Sequence, residues 1–155
     1  MIIQFIVCLV AVLSFAILYC APKKQLLFCG FTGAFGWIVY LLCMESGIGS
    51  SIANLIATFA LTVIARTIAA LRKNPVTVYL VAGIFPLVPG AGIYYTSYYF
   101  IMNEMSEFTR SAANTVKVAG AIALGIILGF AIPQHLFSTL QKITSRPSKQ
   151  KTAPK

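Results

Sequence analysis

The residues best suited to chemistry are Pro86, Pro89, Gly90 and Gly92, which sit together inside the apolar, aromatic run GIFPLVPGAGIYYTSYYF at 83–100. A run of that length should be a helix. Its prolines lack an amide hydrogen and clash with the preceding turn, Pro86 restricts Phe85, and the glycines lower the cost of unusual dihedrals. Two half-helices meeting between Phe85 and Gly90 are therefore expected, with Pro89 in the first turn of the second. Hydrocarbon cannot satisfy the backbone groups freed by such a break, so it must face protein or a water-filled cavity. Amides from Gly90 to Ile93 would carry the positive end of a helix dipole, which attracts an anion such as a carboxylate. The plainer role is a proline kink without a ligand, and the doubled Pro-x-x-Pro-Gly-x-Gly pattern favours a site. Tyr94, Tyr95, Tyr98 and Tyr99 follow as two i, i+4 pairs; Tyr98 and Tyr99 suit an interfacial aromatic belt. One of Tyr94 and Tyr95, a turn beyond the break, is expected to offer a hydroxyl to the cavity, and Tyr94 joins the candidate site.

A second constellation recurs every four residues: Asn54, Thr58, Thr62 and Arg66. The spacing puts them on one helical face that points into a bundle. Two roles stand for them. Thr58 and Thr62 line a pathway with Arg66 as an inner counter-charge for an anionic substrate, or they bond across helices while Arg66 snorkels to the interface. Further along, Asn114 and Lys117 precede Ala121, Gly125 and Gly129, whose G-x-x-x-G spacing lets another helix approach closely. Gly30, Gly33 and Gly36 are expected to leave room for the broken helix.

Other chemistries lack their residues. There are three glutamates, no aspartate and one histidine, His135. Glu45, Glu104 and Glu107 all fall near one membrane surface, which leaves no acid–base pair. Cys8, Cys20, Cys29 and Cys43 have no C-x-x-C spacing, so no metal site is expected and they read as small core residues. A P-loop is missing, and the two G-x-G pairs lack the third glycine of a dinucleotide site. The chain is read as not an enzyme, without a cofactor.

The elements that position these residues follow from composition. Of 155 residues 59% are hydrophobic and 10% charged, and the mean hydropathy is +0.87, the values of an all-α integral membrane protein. About 20 helical residues cross a bilayer core. Five stretches meet that length, at 2–20, 26–43, 51–71, 76–101 and 112–132, and residues 1–140 are read as one transmembrane domain. The first stretch lacks a leading positive charge and a small-residue cleavage site, so it is read as a retained helix. The fourth is broken near its centre, at the bilayer midplane. A polar, basic tail at 141–155 is expected to be disordered. The net charge of +9 lies beside apolar runs and in the tail, where topology rather than nucleic acid accounts for it. Lys23, Lys24, Arg72, Lys73 and the tail then share one side, with Arg110 in the opposite loop, placing the N-terminus outside and the C-terminus in the cytoplasm. Five spans is also the parity of one half of an inverted-repeat transporter.

The run Pro86, Leu87, Val88, Pro89, Gly90, Gly92 and Tyr94 resembles the Pro-Leu-Val-Pro-Gly-x-Gly-x-Tyr motif of the threonine/serine exporter (ThrE-like) family, small YjjB-like type. The resemblance extends over about residues 1–140 in length, span number and basic C-terminal end. It implies export of small carboxylates, either threonine- and serine-type amino acids or dicarboxylates such as succinate, across a bacterial inner membrane. A larger YjjP-like membrane subunit is implied as partner, in keeping with the parity argument; a homo-oligomer is the other way to complete a pathway. Two rival readings remain. A structural or assembly subunit without a substrate site does not explain the broken helix, and a small integral-membrane enzyme lacks its catalytic groups.

Overall fold

The computed structural model of the protein describes residues 2–133. Those residues form six α-helices: α1 (Ile2–Leu18), α2 (Leu26–Glu45), α3 (Ser50–Arg72), α4 (Val76–Ile84), α5 (Gly90–Ile101) and α6 (Met105–Ala131). Short 3-10 turns occupy Lys23–Gln25 and Phe85–Leu87. The tail at 141–155 and His135 lie outside the described residues. The protein is an all-helical membrane protein. Lys23–Glu45, α3 and α6 are each long and apolar enough to cross a bilayer, and Val76–Leu87 with Gly90–Ile101 makes a fourth span bent by 52°. The expected first span is the apolar α1, which at 17 residues is about 26 Å long and so slightly shorter than a typical bilayer core.

Small residues hold the bundle together, as they must where lipid tails are as apolar as leucine and offer no hydrophobic drive between helices. Between them the glycines of α2 admit α1, α3 and α4, with Gly33 packed against Val12 of α1 as well as α4. A Cβ on Gly30 would lie 3.0 Å from Leu13 Cγ of α1, one on Gly36 2.7 Å from Leu61 Cδ1 of α3, and one on Gly33 3.0 Å from the Gly83 carbonyl oxygen of α4. The expectation that this helix makes room for the broken span thus holds at Gly33, while Gly30 and Gly36 serve other contacts. The core inside is correspondingly fine-grained, with Val12, Ala16, Cys29, Ala57, Leu61, Ala65 and Tyr79 buried. Bulky residues such as Val7, Ile17, Val116 and Ile127 face outward, the arrangement suited to lipid.

One link differs from expectation. The polar stretch after the fourth span is no long loop. Met102–Glu104 makes a tight turn, with Asn103 left-handed at φ 60° and the Glu104 amide donating to Tyr99 O at 2.9 Å, and α6 begins at Met105 instead of 112. Ser106 to Ser111 contain neither glycine nor proline, so they continue the helix beyond the apolar part that a hydropathy reading detects. Arg110 is consequently inside a helix, not in a loop. At the other end of the bundle the two basic links sit together: Tyr79 donates its hydroxyl to Gln25 Oε1 at 2.8 Å, and the Arg72 guanidinium lies 3.8 Å above the Phe28 ring.

Candidate functional site

The fourth span breaks where expected and by a different local route. Phe85 keeps helical dihedrals (φ −52°, ψ −41°), because a 3-10 turn accommodates Pro86 in its first positions. Val88, the residue before Pro89, is the one forced out of the helical region, to φ −60° and ψ 129°. Pro89 then stands at the N-cap of α5 and not in its first turn, with no side chain capping that end. The Gly90 amide turns back to Val88 O at 2.7 Å, and the first in-register helical bond runs from Ile93 N–H to Pro89 O at 3.0 Å. Between them the amides of Ala91 and Gly92 are the first-turn donors that the helix itself does not use. Twelve residues lie on either side, so the break is half-way along the span.

These amides border a cavity of about 290 Å³. One wall is Pro86 to Gly92. The others are Trp37 and Tyr40 of α2, Ser50 and Asn54 of α3, and Asn114 and Thr115 of α6. Just before the break, Phe85 packs against Phe15 of α1. The wall contains amides, hydroxyls and carboxamides but no charged side chain, so what it can offer an anion is hydrogen-bond donors together with the helix dipole. Because Ser50 opens α3 and Asn114 sits early in α6, the cavity occupies the half of the bundle away from the basic links.

The two glycines at the break have different jobs. A Cβ on Gly90 would meet nothing within 4 Å, whereas one on Gly92 would lie 2.5 Å from Thr115 Oγ1. Neither has a positive φ. Gly92 is small because α5 and α6 touch there, and Gly90 leaves open space.

The other candidates are placed elsewhere. Tyr94 is 63% exposed and does not line the cavity; Tyr95 and Tyr99, stacked at 6.2 Å, line a neighbouring pocket on α6. Thr58 and Thr62 are fully buried with their hydroxyls on their own helix, Thr58 to Asn54 O and Thr62 to Thr58 O, both at 2.7 Å. They pack against Gly125 and Gly129. Arg66 is buried too and donates from one terminal nitrogen to the carbonyls of Gly129 at 2.6 Å, Phe130 at 3.2 Å and Ile132 at 2.8 Å. It caps the negative end of α6. Ser50 extends the four-residue stripe backwards, so the stripe is divided: Ser50 and Asn54 reach the cavity, while Thr58, Thr62 and Arg66 are consumed by packing. Trp37 and Tyr40 went unassigned in the sequence because nothing in a glycine-rich apolar helix marks which aromatic faces inward.

The family model described as Threonine/Serine exporter, ThrE, matches residues 4–132. The chain belongs to the threonine/serine exporter family. That stretch takes in both halves of the broken span and every wall of the cavity, so the exporter architecture and the candidate site coincide along the chain. No curated protein and no solved structure matches the chain. The protein is accordingly a multi-pass membrane protein of the threonine/serine exporter type, a transporter family and not an enzyme family.

Proposed function

We propose that this exporter-family chain binds the carboxylate of a small metabolite at the break of its fourth span, with the Ala91 and Gly92 amides as donors and Asn54 and Asn114 completing the shell. The observation that carries this is the uncharged cavity built on the N-terminus of α5, with amides and two asparagines set in a largely apolar wall. A carboxylate is held there by donors that cost little to reorganise, and it leaves readily because no fixed countercharge traps it. The substrates are threonine- or serine-type amino acids, or dicarboxylates such as succinate. Pro86, Pro89, Gly90 and Gly92 form the site itself; Thr58, Thr62 and Arg66 support it by fixing α6 against α3.

The chain works as the small subunit with a larger YjjP-like membrane partner, because six short helices enclose little more than one side of a pathway. Paired basic links at one end and Glu45, Glu104 and Glu107 towards the other support a multi-pass placement in a bacterial inner membrane, with the N-terminus outside. The cavity then faces the outer half.

Gly90 provides the test, since its open surroundings let a side chain enter the cavity without disturbing the fold. Gly90→Leu should assemble and melt like the wild type yet export no threonine above background in cells carrying both subunits. Trp37 is the only tryptophan in the chain and lies in the cavity wall, so L-threonine should alter its fluorescence in the wild type and not in Gly90→Leu. Undiminished efflux from Gly90→Leu would defeat the assignment.

A further inference from the structure

Beside the break cavity, on the first half of α6, is a larger pocket of about 600 Å³ whose wall includes Tyr95, Tyr99, Glu107, Arg110, Asn114 and Lys117. Asn114 belongs to the walls of both. Arg110, Asn114 and Lys117 are spaced by four and three residues, hence on one helical face. Thr96 Oγ1 donates to Ser111 Oγ at 3.1 Å, and Gly92 abuts Thr115, which fixes how α5 and α6 are aligned along their antiparallel contact. Lys117 lies two residues past Thr115, about 3 Å further along the axis. Gly90 lies two residues before Gly92 in the same direction. The Lys117 backbone is therefore level with the break, half-way along a span.

An ammonium at that depth needs a partner or a route to water. Among the described residues no ion pair joins Lys117 or Arg110 to a carboxylate. Helical side chains lean toward their own N-terminus, so the Lys117 stem is directed along α6 toward Arg110 and the α5–α6 turn, into the pocket. The result is two cations, one carboxylate and two stacked phenols, a net positive lining around a space that shares Asn114 with the break cavity and leads toward the α5–α6 turn.

We propose that this pocket is a second carboxylate station, lying between the break cavity and the membrane surface at the α5–α6 turn, with Lys117 and Arg110 as its anion-binding side chains and Asn114 as the wall shared with the first. It rests on the carboxylate-export reading above. The break cavity holds the anion by neutral donors alone, and the net positive charge of the station, two cations against the Glu107 carboxylate, draws it onward.

The test uses the full chain in native membranes with its partner, with Cys8, Cys20, Cys29 and Cys43 replaced by alanine and Ala113→Cys introduced. Ala113 lines this pocket but not the break cavity. An anionic sulfonatoethyl methanethiosulfonate should label it about tenfold faster than the cationic trimethylammonioethyl reagent, a preference that disappears in Lys117→Gln with Arg110→Gln. L-Threonine should slow labelling by more than about threefold, and threoninol, which has no carboxylate, should not. Labelling without charge preference, or unaffected by threonine while Trp37 still responds, overturns the station and leaves the break site standing. No threonine response of Trp37 in the unaltered chain overturns the carboxylate reading, and this proposal with it. Ala113→Cys that reacts in the purified chain but with neither reagent in membranes means that a partner side chain or lipid headgroup fills the pocket, which also overturns the proposal.

Discussion

The helix α6 takes part in two contacts built from similar residues with opposite outcomes. Its second half presents Gly125 and Gly129 to Thr58, Thr62 and Arg66 of α3, and the seam closes: the threonines are fully buried and the arginine caps carbonyls. Its first half presents Asn114 and Thr115 to the broken span, and there the walls stay apart around a cavity. What separates the regions is backbone continuity. Where α3 and α6 are both unbroken, glycine draws them together until Thr58 and Thr62 are fully buried; where Pro86 and Pro89 bend the facing span, no continuous ridge is available to fill the groove. Polar side chains at four-residue spacing therefore do not mark a pathway by themselves.

The comparison can be broken by variants that ought to harm stability on one side and transport on the other. Gly125→Leu should have the largest effect, because even a Cβ there would lie 2.7 Å from Leu55 O and 3.1 Å from Phe59 N of α3. A loss of about 3 kcal/mol or more is expected, seen as failure to purify as a monodisperse protein. Arg66→Met should come next. It leaves the carbonyls at the end of α6 without their charged donor, and a drop of about 2–3 kcal/mol is expected in thermal unfolding in detergent. If stability is unchanged and threonine efflux is lost, Arg66 serves the substrate and the seam is not merely structural.

Gly92→Ala sharpens the contrast within the break, since its methyl meets Thr115 where that of Gly90→Ala meets open space. About 1–2 kcal/mol should be lost at Gly92 and almost nothing at Gly90, measured side by side by thermal melts. Thr58→Val should have the smallest effect, under about 1 kcal/mol, because the hydroxyl it removes bonds only to carbonyls of its own helix, Asn54 O and Leu55 O. Efflux by Thr58→Val should match the wild type. A several-fold fall in efflux at normal stability would return Thr58 to the pathway.

Much of this was legible in the residues. Pro-x-x-Pro-Gly-x-Gly specified the position of the break because proline acts through its own missing hydrogen and ring, whatever surrounds it. The local route was less legible: a 3-10 turn spares Phe85, and Val88 takes the distortion, since the chain had two ways of relieving the same clash. The seven-residue extension of α6 before residue 112 was missed because hydropathy detects the lipid-buried part of a helix and is blind to a polar turn continuing into water. Tyr94 and Tyr95 could not be told apart, because adjacent positions on a helix differ by about 100° and only the packing of α5 on α6 says which one faces the pocket.

By itself the sequence determined that the protein is a helical membrane protein, where its helices lie and which one is interrupted; these follow from apolar length and from the chemistry of proline, both local properties. Only the tertiary structure decided which polar residues reach a cavity. Asn54 and Thr58 stand one turn apart on the same stripe of α3, yet the first lines the break cavity and the second is sealed against Gly125. Which of them meets the cavity depends on the distance to the facing helix, and that distance is set by the bend at Pro86 and Pro89 and by glycines that only folding brings close, as with Gly125 of α6.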